Sequence, residues 1–344
     1  MAEMTLNKQH PLYQEDLECI LSTVGIDSLK GKRVLITGAT GLIGVQLVDA
    51  LMRLGQVHVV AVGRSANNAK NRIGEYFGLP NFEFIEQDVT IPFLMDKKVD
   101  VIIPLASNTH PLAYSQFPVE TILVNVKGAE NALELARRTG ATVLYPSTVE
   151  IYGNSAGQDS FAESDTGKLN LSTSRSCYTE SKRVCEAMCQ SYLSEYGVVS
   201  KIVRLPRVFG PTMLTSDSKA SSQFIKKAIL EEDIILKSKG NQFFSFIYVS
   251  DAVAAMLYVL INGQSGEAYN VSSEECNIHL KDFAGICATS CGKTVVFETP
   301  SSIETKGYSV ADRAVLDNSK LNALGFKSRF SMVEAINRTV AILK

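Results

Sequence analysis

The sequence predicts an α/β fold, a doubly wound parallel sheet with a smaller C-terminal substrate-binding lobe. Three observations predict it. Short β-rich runs alternate with longer helix-compatible stretches as far as Leu205. A glycine-rich turn joins the first run to the first helical stretch. From about Pro211 the alternation breaks into shorter, mixed segments. The 344 residues have room for one large or two modest domains.

Residues 1–30 read as an N-terminal extension. Leu12, Leu17, Ile20, Leu21 and Val24 recur near helical spacing, which predicts a short docked helix. The apolar run Val34–Thr37 suits a strand buried on both faces. Further strands are expected at Val57–Val62, Phe82–Ile85, Val101–Leu105, Thr142–Tyr145 and Lys201–Leu205. Helices are expected at Leu42–Leu54, Val119–Arg138 and Tyr178–Tyr196, and a last amphipathic one at Ser331–Leu343. Residues 31–210 therefore form the expected dinucleotide-binding domain and residues 211–344 mainly the substrate lobe. A cleft between the two is the natural ligand site.

Composition removes several function classes. Lys and Arg number 34 against 36 Asp and Glu, a net charge of -2, so there is no basic footprint for nucleic acid. No apolar run approaches the roughly 18 residues of a membrane span. The start, MAEMTLNKQH, lacks the basic-then-apolar layout of a secretion signal. Seven cysteines without a CxxC pair argue against a disulfide scaffold or zinc ribbon, and four scattered His suggest no metal site. Cys185 and Cys189, and Cys287 and Cys291, read as buried apolar cysteines. A reducing cytoplasm is the expected location.

The turn Thr37-Gly-Ala-Thr-Gly-Leu-Ile-Gly44 carries the first chemistry, with Gly38, Thr40, Gly41, Leu42, Ile43 and Gly44 as candidate cofactor contacts. Gly38 can make the tight turn, Gly41 admits a pyrophosphate, and Gly44 allows close helix–strand packing. The helix N-terminus behind them favours an anion. The second strand ends in Gly63-Arg64-Ser65 with no acid for a ribose 2′-hydroxyl. Arg64 matches a 2′-phosphate instead, so the cofactor is NAD or NADP, with NADP favoured. Asp88 is a candidate acceptor for an adenine amino group, with Val89 beside it.

Tyr178-Thr-Glu-Ser-Lys182 sets a phenol and an ammonium four residues apart, on one face of a helix. The ammonium is expected to lower the phenol pKa, ordinarily about 10, and so make Tyr178 a base. Ser147 and Thr148 end the fifth strand, where such sheets bind ligands. A hydroxyl there can be shared by Tyr178 and a substrate oxygen.

These motifs together resemble the extended short-chain dehydrogenase/reductase family and its nucleotide-sugar enzymes. The resemblance runs from about Gly31 to the C-terminus: TGATGLIG, LAS at 105–107, VNVKGAEN at 124–131, PSTVEIYG at 146–153, YTESK at 178–182, RLPRVFGP at 204–211 and FIYVSDAV at 246–253. The pattern is most similar to the UDP-glucuronate decarboxylases. The resemblance implies a Rossmann domain, a bound nicotinamide cofactor, a nucleoside-diphosphate sugar and a homodimer through two long helices. It makes Tyr178 the base, Lys182 a ligand of the nicotinamide ribose, and Thr148 (or Ser147) the group that orients the sugar. It adds Leu105, Ala106, Ser107 and Asn125 to the cofactor site, and Asn108, Arg207, Lys219 and Phe244 to the substrate side.

The chemistry follows from a sugar oxidised at C4. A 4-ketone acidifies the C5 proton, and then carbon dioxide or water is lost, or the ketone is reduced on its other face. Glu150 suits acid–base work near C5 or C6. The 4,6-dehydratases carry an Asp just before this Glu, whereas here it is Val149. The family's Arg before YVSD is Phe244, and its usual Asn after the sixth strand is Arg207. Arg207 is thus a candidate for the diphosphate. A 4-epimerase and a simple NADPH-dependent reductase are the alternative enzymes; a non-catalytic dinucleotide sensor is the alternative that does no chemistry. Arg175, three residues before Tyr178, is expected to order the active-site loop, and His110 to be a loop residue.

Overall fold

The computed structural model describes residues 4–95, 97–109, 111–155, 157–298 and 311–344. His110 lies outside the described residues. The helices are α1 (Pro11–Leu21), α2 (Leu42–Leu54), α3 (Ala66–Ile73), α4 (Pro111–Gln116), α5 (Pro118–Thr139), α6 (Ser176–Tyr196), α7 (Ala220–Ile229), α8 (Val249–Asn262), α9 (Leu280–Ser290), α10 (Ser319–Leu324) and α11 (Met332–Leu343). The strands of the large sheet are β1 (Arg33–Thr37), β2 (His58–Gly63), β3 (Phe82–Glu86), β4 (Val101–Pro104), β5 (Thr142–Thr148), β6 (Ser200–Leu205) and β10 (Ala268–Asn270).

All seven pair in parallel, in the order β10-β6-β5-β4-β1-β2-β3. Side chains alternate across β1 as the two-residue period requires. Val34 and Ile36 join the core made with α1, α2 and α8, while Leu35 joins the core made with α5 and α6. Both faces are covered, which is why the central strands read Val34–Ile36, Val59–Val62 and Val101–Ile103 without a charged residue. The strand order reverses between β1 and β4. The crevice at their carboxyl ends is the place where such sheets receive ligands.

The smaller lobe is built on β7 (Arg207–Phe209), β9 (Phe243–Tyr248), β11 (Asn277–His279) and β13 (Arg313–Ala314), with β8 (Ile234–Leu236) paired to β12 (Val295–Phe297). Two expectations are modified. The expected boundary at 211 is crossed, because α8 packs on α2 and β10 extends the large sheet beside β6. Three residues are too few for β10 to show a period in the sequence. The described part of the N-terminal extension, residues 4–30, is also stitched into the fold, not merely laid on it. Tyr13 donates to Asp49 on α2 at 2.5 Å, and Asp16 receives Tyr248 and the Arg338 guanidinium at 2.8 Å.

Candidate functional site

The turn after β1 is shaped for close approach. Gly38 has φ +64, and a Cβ there would lie 2.7 Å from the Ala106 backbone nitrogen. At Gly44 a Cβ would overlap the Gly38 carbonyl oxygen and sit 2.7 Å from the Ala39 Cα. Neither position accepts a side chain without moving backbone. Gly41 caps α2 with no side-chain hydrogen bond, so no cap covers the first-turn N–H groups of Leu42, Ile43 and Gly44. Thr37 fastens the neighbouring loop: its carbonyl and hydroxyl accept from the N–H groups of Leu105 and Ala106 at 3.2 and 3.1 Å.

Beyond this turn a small cavity is bounded by Thr37, Val89, Ala106, Asn125, Tyr145 and Lys182. Two buried polar atoms close to it, Asn125 Oδ1 and Ser147 Oγ, have no partner. Orphaned groups of this kind call for a ligand. A glycine cradle, an open helix N-terminus and unpaired amide and hydroxyl groups fit a dinucleotide. The Asn125 Nδ2 donates to Ser181 at 2.8 Å, tying α5 to α6.

At the other end of the crevice, Arg64 pairs with Glu120 at 3.2 Å, both well exposed. Asp88 accepts from the Thr90 N–H and hydroxyl, each at 2.8 Å; this turn holds its carboxyl below the usual range, helped by Arg64. Val89 is buried, and its carbonyl accepts from Asn131 at 2.7 Å. Ser107 donates to the Asn108 carbonyl at 3.2 Å, and Asn108 donates to Thr121 at 3.3 Å.

The catalytic candidates meet where β5 ends and α6 begins. Thr148 lies close enough to the Tyr178 phenol to favour its ionised form, and it caps the short turn 149–152, receiving the Glu150 N–H at 3.3 Å. The Glu150 carboxylate is held by Arg175 at 2.8 Å. Arg175 lies over the Tyr114 ring at 4.4 Å, and Tyr114 stacks on Tyr178 with centroids 4.9 Å apart. Arg175 thus orders the loop as expected. Tyr114 was not foreseen, because no spacing in the sequence announces a contact between the short helix α4 and α6.

One expectation is reversed. Burial, and then the Glu150 charge, push the Tyr178 phenol well above its ordinary value; the Thr148 hydrogen bond and Arg175 pull it down less strongly. Lys182 instead donates to the Pro146 carbonyl at 2.8 Å and lies over the Tyr145 ring. Its own burial lowers it to about 8. Helical spacing gave the shared face, but desolvation outweighs the mutual attraction that spacing suggests.

Three substrate-side candidates separate. Arg207 and Phe244 come together, with the guanidinium 3.5 Å from the ring centroid. Phe244 is buried beneath it. Lys219 begins α7 and leans on Asp217 at 3.6 Å, apart from the Thr148–Tyr178 group. Among the described residues no cluster of His, Cys, Asp and Glu could hold a metal, and no helix is long and apolar enough to cross a membrane.

The sequence profile of the NAD dependent epimerase/dehydratase family matches residues 34–272. The chain belongs to that family. The match takes in the cradle, the Thr148–Tyr178–Lys182 group and the return strand β10. UDP-glucuronic acid decarboxylase 6 of Arabidopsis thaliana is 37% identical over 234 residues, covering 68% of this chain and 67% of that protein. UDP-glucuronic acid decarboxylase 1 of Xenopus tropicalis is 36% identical over 244 residues, 71% of this chain and 57% of its own. Among solved structures, a dTDP-glucose 4,6-dehydratase from Bacillus anthracis in complex with NAD superposes with a TM-score of 0.77 at 19% identity, over 90% of this chain and 96% of that one. A UDP-glucuronic acid 4-epimerase from Bacillus cereus, in complex with UDP-glucuronic acid and NAD, gives 0.76 at 20%, over 90% and 98%. At such identities these two structures speak for the shared fold of the epimerase/dehydratase family.

Proposed function

We propose that this chain modifies a nucleoside-diphosphate sugar by transient oxidation at C4, with Tyr178 as the base. The observation that carries the reading is the convergence of Thr148, at the carboxyl end of β5, on the buried Tyr178 phenol, with Lys182 one helical turn on and lining the cavity beside the cradle. A bound NAD supplies the acceptor and later the donor of hydride. The open N–H groups at Leu42, Ile43 and Gly44 would hold its pyrophosphate, and Asn125, Ser147 and Lys182 would bind its nicotinamide ribose. Leu105, Ala106 and Ser107 wall the same crevice. Tyr178, once its phenol has been ionised, takes the proton of the C4 hydroxyl, and Thr148, which favours the ionised phenol, fixes the direction of that transfer. Lys182 keeps a positive charge at neutral pH close behind.

Once C4 is a ketone, a carboxylate on C6 is β to it and leaves as carbon dioxide. Glu150, held by Arg175, is the acid–base group nearest that end. Val149 is buried and carries no proton, which disfavours dehydration. The sequence relatives favour decarboxylation of a UDP-uronic acid, with 4-epimerisation as the second reading. NAD is preferred over NADP, because Glu120 already engages Arg64 and a 2′-phosphate would have to displace it. Residues 31–210, with α8 and β10, form the dinucleotide-binding part, and the rest of 211–344 the substrate lobe.

The exposed apolar side chains Val119, Ile122 and Leu123 on α5, with Val184 on α6, form the face for a homodimer. All seven cysteines are free, which accords with a reducing cytoplasm. The test is to incubate the protein and NAD with UDP-glucuronate, UDP-glucose, dTDP-glucose and their N-acetylated analogues, and to follow the products by mass spectrometry. UDP-glucuronate is expected to lose 44 mass units, the mass of carbon dioxide. Turnover of none of them would overturn the reading.

A further inference from the structure

β7 and β9 pair in parallel with Arg207 opposite Phe246. Phe244 is then the diagonal neighbour of Arg207 on the same face, within reach of a long side chain. The guanidinium lies flat over that ring at 3.5 Å. Stacking fixes the plane of the fork and leaves its N–H edges for other partners.

Those edges are not used within the described part of the chain. Arg207 makes no ion pair there, and its Nη1 is buried with no hydrogen-bond partner. The acid that acts on it is Glu150, but Glu150 is bound to Arg175 at 2.8 Å, and Arg175 itself repels Arg207. Burial lowers Arg207 to about 10. Arg207 is half-buried as a whole, but a buried guanidinium nitrogen without a partner is costly, and an anion that bonds it recovers the cost.

Resting on the nucleotide-sugar reading above, we propose that Arg207, propped on Phe244, is the anion receptor of the cleft and takes a substrate anionic oxygen through Nη1. The oxygen belongs to the sugar carboxylate or to the diphosphate. The two departures from the decarboxylase pattern are then one coupled exchange. A guanidinium lost from β9 is restored from β7, and the Phe left behind becomes its platform. The new charge sits beside the Glu150–Arg175 pair, next to the Tyr178 group.

The experiment uses the full chain saturated with NAD. Calorimetric binding of UDP, UDP-glucose and UDP-glucuronate is compared for the native protein, Arg207→Gln, Arg207→Lys and Phe244→Leu. Arg207→Gln is expected to weaken binding at least tenfold. Equal loss for all three ligands assigns the contact to the diphosphate; loss confined to UDP-glucuronate assigns it to the carboxylate. Arg207→Lys keeps the charge but not the fork, and Phe244→Leu keeps the fork but not its platform. Each is expected to lose three- to tenfold, and they carry the test if Arg207→Gln does not fold. Binding within twofold of native for all variants overturns the proposal. If the native protein binds none of the three, the nucleotide-sugar reading has failed. Millimolar inorganic pyrophosphate then decides the anion site, by raising the melting temperature of the native protein and not that of Arg207→Gln; equal effects overturn it.

Discussion

Lys182 is the residue whose stability cost and proposed role can be separated most cleanly. Its side chain is buried, with one hydrogen bond to the Pro146 carbonyl. From the ordinary 10.5 its pKa falls to about 8. At about 1.4 kcal/mol per pH unit, holding the ammonium there costs about 3 kcal/mol at neutral pH. Lys182→Met keeps the length of the side chain and removes the charge. It also leaves the Pro146 carbonyl without its donor, a loss of about 1 kcal/mol. The variant should therefore be more stable by about 2 kcal/mol. For a chain of 344 residues the unfolding entropy is about 0.7 kcal/mol/K, so its melting temperature should rise by about 3 °C.

The sign of the pH dependence is fixed by the direction of the shift. The folded-state pKa lies below the unfolded one, so between about 8 and 10.5 the unfolded chain binds more protons and the native protein gains stability as pH rises. Below pH 8 the penalty is present in full. By pH 9.5 about 2 kcal/mol of it has gone, and the advantage of Lys182→Met should vanish. Thermal unfolding at pH 7.0 and 9.5 without added dinucleotide measures this, and turnover of the sugar nucleotide is expected to fall at least 100-fold in the same variant. A melting temperature at or below native at pH 7.0, or an advantage that does not shrink at pH 9.5, would refute the reasoning.

Tyr178→Phe should cut turnover 100- to 10,000-fold, while NAD affinity in calorimetry stays within threefold of native; native-like turnover would remove the assigned base. Gly44→Ala places a Cβ against the Gly38 carbonyl and the Ala39 Cα, and should abolish NAD binding with a clear drop in melting temperature. Asp16→Ala strips the buried Arg338 and Tyr248 of their shared acceptor, and should cost about 3–5 kcal/mol with little change in the NAD affinity of the surviving folded protein. Leu123→Asp places a charge on the exposed face of α5; the proposed homodimer predicts a dimer for the native protein and a monomer for the variant in analytical ultracentrifugation.

The elements of the large sheet were legible because one force shapes each of them. A strand buried on both faces must be apolar, and Val34–Thr37, Val57–Val62 and Lys201–Leu205 were recognisable for that reason. The helices α2, α5 and α6 showed in their spacing, and the observed limits differ from those expected by at most two residues. β10 was not visible, since its three residues are a strand only by virtue of pairing with β6. The same holds for the lock between α1 and α11, where Asp16 and Arg338 are far apart along the chain.

In the candidate site the residue types were readable and their energies were not. The spacing of Tyr178 and Lys182 tells which side chains share a helix face, a purely local fact. Whether the ammonium lowers the phenol pKa depends on how much water each has lost, and that is set by β5, α5 and the helix α4 that bears Tyr114. Burial drives the phenol up and the amine down, so Tyr178 holds its proton more tightly than the motif alone implies, while Lys182, at about 8, stays charged at neutral pH. The Arg207–Phe244 pair makes the same point from the other side. Read singly, an Arg for an Asn and a Phe for an Arg look like losses of function. Only the β7–β9 pairing shows that the first replacement stands on the second, with the Arg207 guanidinium over the Phe244 ring.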